Sequence, residues 1–286
     1  MDTTSPFLLS SQSLTPAWVE REYNNRELVP GHPQFFARWE RDSEFVRATL
    51  PGRLDLAYGP DARHRIDLFP AKDSDRLLVF IHGGYWRGLD KRMFAWLAPA
   101  WVAQGVGVAL VNYRLCPAVR IADIVDDTLA ALNWIAAHAP SHGAGARRIV
   151  LAGHSAGGHL VGAIFAAARE CFAFDPDRIA GGVPISGVFD FSPLPYFSGN
   201  ADLRLDGESA RLLDLHDRQP TIPAPLVVAV GGSESAEFIR QSRLIADRWS
   251  AQVRSLHVLP DLHHFSVLDA LAEHGQPLHA ATAALY

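Results

Sequence analysis

From residue 54 onward the chain alternates short apolar runs with longer mixed ones. Leu54-Asp55-Leu56-Ala57-Tyr58 and Arg65-Ile66-Asp67-Leu68-Phe69 alternate apolar with polar residues on either side of Gly59-Pro60-Asp61. That pattern predicts an antiparallel hairpin. Six continuous apolar runs follow: Leu77 to Ile81, Val106 to Val111, Arg148 to Ala152, Gly182 to Ile185, Leu226 to Val230 and Val253 to Val258. Their length and lack of alternation predict strands buried on both faces. Between them lie helix-length segments at Arg92 to Gln104, Ile124 to Ala139, Gly157 to Arg169, Ala236 to Ser250 and Phe265 to His274. Strand and helix in alternation predict an α/β fold with a mostly parallel sheet and helices on both faces. The hairpin supplies an antiparallel N-terminal edge.

Residues 1–50 read differently, polar and charged with scattered aromatics. Thr15-Pro16 has the form of an N-cap followed by Pro at the first helical position. The expectation is an N-terminal extension of one or two short helices packed on a main domain spanning residues 51–286. Asn200 to Pro223 matches no pattern.

Composition narrows the picture by exclusion. The 286 residues carry a formal net charge of -5 and no long basic run, which argues against nucleic acid or an anionic membrane as partner. Phe94 to Val111 is apolar enough to raise the question of a membrane span. Pro99, Gln104, Gly105 and Gly107 interrupt it, so helix, turn and buried strand fit better. The opening Met1-Asp2-Thr3-Thr4-Ser5-Pro6 lacks the basic start of a secretory signal, and Phe7-Leu8-Leu9 is too short for its apolar core. Two cysteines, Cys116 and Cys171, exclude a disulfide framework and are expected as small packed hydrophobes, although a single bridge between them stays open. A cytoplasmic location is expected. A small-molecule substrate is the expected partner, and a homodimer is the assembly to test.

The chemistry centres on Gly153-His154-Ser155-Ala156-Gly157, between the strand Arg148 to Ala152 and a helix. A G-x-S-x-G turn in that setting lifts the serine hydroxyl above the sheet at a helix N-terminus, the nucleophile elbow of the α/β-hydrolase fold. Gly153 and Gly157 are small because neighbouring backbones approach there. His82-Gly83-Gly84-Tyr85-Trp86 ends the strand Leu77 to Ile81. In this fold that loop gives one side of an oxyanion hole, and the N–H of the residue after the nucleophile, Ala156, gives the other.

A serine nucleophile needs a base and a carboxylate to orient it, in the order Ser, acid, His. The loop after Leu226 to Val230 offers Glu234 as acid, with Glu237 as a rival that faces solvent or pairs with Arg240. The loop after Val253 to Val258 offers His264 as base, with His263 adjoining it and Asp261 as a weaker acid. Spacing favours His264 without excluding its neighbour. Thirteen histidines raise the question of a metal, but no metal-binding spacing is present and none is expected.

These residues resemble the kynurenine formamidase (arylformamidase) family of α/β hydrolases, close to the hormone-sensitive-lipase-like esterases. The resemblance rests on His82-Gly83-Gly84-Tyr85-Trp86, Gly153 to His159, Glu237 to Ser242, Asp261 to Phe265, and the opening Val19 to Asn24. It places the catalytic histidine on His264 and gives the loop's oxyanion donors as the N–H groups of Gly84 and Tyr85. It implies hydrolysis of N-formyl-L-kynurenine to L-kynurenine and formate, with no cofactor. The family acid is commonly Asp, whereas Glu234 stands here. An aryl leaving group would suit aromatic walls, with Trp86, Phe191, Tyr196 and Phe197 as candidates beside the reading that they only fill the core. A carboxylesterase for small aryl or short-chain acyl esters shares every catalytic residue. A non-catalytic binding protein on the same fold is the remote third reading.

Overall fold

The apolar runs become strands whose successive side chains enter opposite cores, the result of the two-residue repeat of an extended chain. In the computed structural model, which describes residues 5–9 and 14–286, β1 (Arg53–Ala57), β2 (Arg65–Phe69), β3 (Arg76–Ile81), β4 (Gly107–Val111), β5 (Arg148–His154), β6 (Ile179–Ile185), β7 (Leu226–Gly231) and β8 (Val253–Leu259) form one sheet. Its order is β1-β2-β4-β3-β5-β6-β7-β8. β2 runs antiparallel to β1 and β4, and the remaining pairs are parallel. Leu77, Val79 and Ile81 of β3 enter the core on one face of the sheet, and Leu78 and Phe80 enter the core on the other. This is the α/β-hydrolase architecture expected from the sequence.

Several elements depart from expectation. β8 is an edge strand, half-exposed for most of its length, and not buried on both faces. Its sequence, Val-Arg-Ser-Leu-His-Val-Leu, carries the polar positions an edge requires. The helix expected over Arg92 to Gln104 divides into a 3₁₀ segment, Lys91–Leu97, and a short α-helix, Ala98–Ala103. Pro99 has no N–H to continue the first segment and sits where a new helix tolerates it. The segment expected over Phe265 to His274 ends at Ala272, and Gly275, at φ +88°, turns the chain into a further helix, Pro277–Ala283. Within Asn200 to Pro223 lie two short helices, Asn200–Leu203 and Gly207–Leu213.

The N-terminal helices are Pro16–Tyr23, Asn25–Leu28 and the eighteen-residue His32–Thr49, longer than the short helices expected. Thr15 caps the first through its side chain, as its position beside Pro16 predicts. Val19 and Tyr23 enter one core, Trp39 and Val46 the other. Arg47 of the long helix also pairs with the buried Asp67 of β2, which Lys91 Nζ contacts at 2.6 Å. Among the described residues no helix is long and apolar enough to cross a membrane. Both cysteines are free. Cys116 is buried as expected, but Cys171 is exposed.

Candidate active site

Ser155 sits where β5 ends and the elbow helix, Ala156–Phe165, begins, with φ 56° and ψ -117°. A non-glycine residue in that region is strained, and such strain is held only where surrounding structure over-determines it. Here a Cβ on Gly157 would lie 2.0 Å from the Ile81 carbonyl oxygen, and one on Gly153 would lie 2.2 Å from that of Gly157. The two flanking glycines therefore allow the turn.

The loop after β3 presses directly on the serine. A Cβ on Gly83 would come within 3.0 Å of Ser155 Cβ. Gly84, Tyr85 and Trp86 all take positive φ, at 107°, 50° and 53°. This run leaves the N–H groups of Gly84 and Tyr85 without an acceptor among the described residues. Three contacts hold the loop. His82 Nδ1 lies 2.7 Å from the Gly83 carbonyl oxygen, its ring stacked between Phe94 and Tyr113. Tyr113 Oη donates to the His82 carbonyl at 2.7 Å, and Tyr85 Oη donates to the Tyr23 carbonyl at 2.5 Å. Burial pushes the His82 imidazole down to about 4, so it is neutral at pH 7.

Glu234 and His264 meet across the loops after β7 and β8. His264 Nδ1 donates to Glu234 Oε2 at 2.6 Å, and both side chains are buried. Glu234 Oε1 accepts from Ser186 Oγ at 2.5 Å and from the Gly231 N–H at 2.7 Å. The carboxylate is thus held by three donors, which fixes the imidazole plane, and His264 Nε2 has no hydrogen-bond partner among the described residues. Phe238 packs on the His264 ring at 4.8 Å. His154, inside the elbow itself, donates Nε2–H to the His264 carbonyl at 2.7 Å and so ties the His264 loop to the elbow. Burial, reinforced by His264, holds the His154 imidazole well below its ordinary value.

The neighbouring His263, Asp261 and Glu237 stand elsewhere. His263 turns away onto Phe35 at 4.9 Å, and its Nδ1 accepts from the N–H groups of Phe265 and Ser266. Asp261 is exposed. Glu237 does pair with Arg240, at 2.6 Å, but is buried and does not face solvent, because Tyr23 Oη and Gln241 Nε2 also donate to it.

Ser155, His264, Gly84 and Tyr85 line one pocket of about 310 Å³. Of the four aromatic candidates, only Phe197 lines it, stacked on Tyr85 at 4.9 Å. Trp86 and Phe191 are fully buried, packed on each other and on His159, because the left-handed loop turns the indole beneath itself. Tyr196 is 48% exposed and outside the pocket lining. In place of these three, Phe36, Trp39 and Phe265 supply the aromatic wall. Ser186 and the N-terminal lining residues had escaped sequence reasoning. Ser186 has φ 49°, a conformation no local motif announces.

Among the described residues one group, Asp190, Asp214 and His216, brings three potential metal-ligand atoms within 4.8 Å of one another. Arg240 already pairs with Asp190 at 2.9 Å, and the Phe191 N–H is bonded to Asp214. The cluster therefore works as an ion-paired support.

Known proteins share this design. A model of the alpha/beta hydrolase fold matches residues 78–213. A kynurenine formamidase of Drosophila melanogaster is 26% identical over 230 residues, covering 76% of each chain. A carboxylesterase of Mycobacterium tuberculosis is 34% identical over 141 residues, 46% of this chain and 41% of that one. Among solved structures, a candidate thioesterase from a Silicibacter species superposes with a TM-score of 0.82 at 33% identity, covering 93% of this chain and 98% of that one.

Proposed function

The chain belongs to the α/β-hydrolase family, and we propose that it is an arylformamidase-type hydrolase that converts N-formyl-L-kynurenine to L-kynurenine and formate with Ser155 as nucleophile. The observation that carries this reading is the Glu234–His264 pair at 2.6 Å on the pocket that also holds Ser155. His264 Nε2 takes the Ser155 proton as the hydroxyl attacks the formyl carbon. Glu234 holds the tautomer and stabilises the imidazolium that forms. The unpaired N–H groups of Gly84 and Tyr85, with that of Ala156 at the elbow-helix start, receive the oxyanion, each worth about 10²- to 10³-fold in rate. His264 then protonates the leaving aryl amine, and water releases formate from the acyl-enzyme.

A carboxylesterase is the second reading, favoured by the aligned segment shared with the mycobacterial esterase. The free thiols Cys116 and Cys171 support a cytoplasmic setting. The test is kcat/KM for N-formyl-L-kynurenine beside p-nitrophenyl acetate, with Ser155→Ala as blank. A formamide value of about 10⁴ M⁻¹s⁻¹ or more, lost in Ser155→Ala, supports the proposal. Ester turnover with negligible formamide turnover makes the enzyme a carboxylesterase. Unchanged turnover in Ser155→Ala, or no labelling by a fluorophosphonate, removes the nucleophile assignment.

A further inference from the structure

The pocket's remaining wall is polar and comes from three distant parts of the chain, Asn24 to Arg26, Arg87 and Asp202. Most of these groups are satisfied internally. Asn24 Nδ2 donates to Glu20 Oε1 at 2.7 Å, and Arg87 binds Asp202 at 2.7 Å. Asn25 is different. It is 5% exposed, and its Nδ2 has no hydrogen-bond partner among the described residues. Folded chains rarely bury an amide without pairing it. Nδ2 is closed to solvent where it stands, but a half-turn of the amide exchanges it with Oδ1 and offers a donor to a ligand at the pocket wall. Next to it, Arg26 meets only the Phe36 ring, 5.7 Å from its guanidinium carbon, and no carboxylate among the described residues. Of the formal side-chain charges on this lining, Arg87 and Asp202 cancel, and Arg26 remains.

We propose that this wall is a carboxylate subsite, in which the Asn25 amide and the Arg26 guanidinium hold an anionic group on the leaving-amine side of the substrate. The proposal deepens the formamidase reading and rests on it for the identity of the substrate. A formyl group carries nothing beyond hydrogen on its carbonyl, so whatever reaches this wall belongs to the leaving amine. The amino-acid head of N-formyl-L-kynurenine bears such a carboxylate. The desolvated Asn25 contributes most of the selectivity. The exposed Arg26 contributes less, because solvent and salt screen it.

The experiment compares kcat/KM for N-formyl-L-kynurenine with that for 2′-formamidoacetophenone, which keeps the aryl formamide and lacks the amino-acid head. In the wild type the ratio favours the carboxylate-bearing substrate. In Asn25→Asp, where a like charge faces the head, the ratio falls by about tenfold or more. In Arg26→Gln, an exposed change that spares the fold, it falls by roughly two- to fivefold, less at high salt. A ratio near one in the wild type, or equal losses on both substrates in both variants, overturns the subsite. If the wild type hydrolyses esters and neither formamide, the formamidase reading fails on its own. The subsite is then judged by the same ratio for 4-acetoxybenzoate against phenyl acetate.

Discussion

The two walls of the pocket obey opposite rules. On the catalytic wall Glu234 has three donors, His264 is tied through Nδ1 and through its own carbonyl, and His82 is stacked and bonded. On the facing wall the Asn25 amide is unpaired and Arg26 has only a ring for company. A group that must hold one geometry through a proton transfer is paired in advance, since reorganisation during the reaction would raise the barrier. A group that must release product keeps its pairing for the ligand. On the proposed mechanism, the difference separates residues that set kcat from those that set discrimination between substrates.

The strongest way to break this comparison is at Glu234. Glu234→Gln keeps the size and removes the charge, and kcat should fall about 10³- to 10⁴-fold with little change in Tm, as expected when an imidazole loses its orienting anion. Activity within tenfold of wild type would show that the catalytic wall does not depend on the pair. Ser186 gives a finer probe. Ser186→Ala removes one of the three donors to the carboxylate and should lower kcat about tenfold, the worth of one hydrogen bond to a charged group, with KM nearly constant. Ser186→Gly, which also relieves the φ of 49°, should lose the same factor. If the glycine variant is active and the alanine variant is not, backbone strain rather than the hydroxyl is what matters.

The smallest effect concerns stability alone. His159 is fully buried beneath the elbow, and burial lowers its imidazole to about 3. Its folded-state value lies below the unfolded one, so the unfolded chain binds the extra proton. The stability this group contributes is present above about pH 6.5 and is lost as pH falls toward 3. Replacing it by Gln should flatten the dependence of unfolding free energy on pH by about 1.4 kcal/mol per unit between pH 6 and 4. An unchanged slope, measured by urea titration, would mean that the imidazole is charged in the folded protein.

What the sequence made legible follows from locality. Strands β3 to β7 are continuous apolar runs, and a strand buried on both faces needs nothing else. The elbow was legible because its two glycines are required by approaches of 2.0 and 2.2 Å. The fixed order of loops along the sheet edge pointed to Glu234 and to the His263-His264 pair, and the family resemblance chose His264. Non-local features stayed hidden. Ser186 meets a carboxylate 48 residues away, and Asn25 lines a pocket assembled from widely separated stretches of the chain. Trp86 and Phe191 looked like substrate contacts because aromatic residues near a motif suit a pocket and a core equally well. Their packing on each other and on His159 in the folded chain decides for the core.

The tether between Tyr85 and Tyr23 also sets an order of assembly. Tyr23, whose carbonyl receives the Tyr85 hydroxyl, is itself fastened through its own hydroxyl to Glu237, 214 residues further along. A chain emerging from the ribosome makes Tyr23 long before its anchor. The first helix must wait, unfastened, while most of the sheet is translated, and the oxyanion loop stays untethered for as long. The tether on the Gly84–Tyr85 loop is therefore complete only after Glu237 has been made.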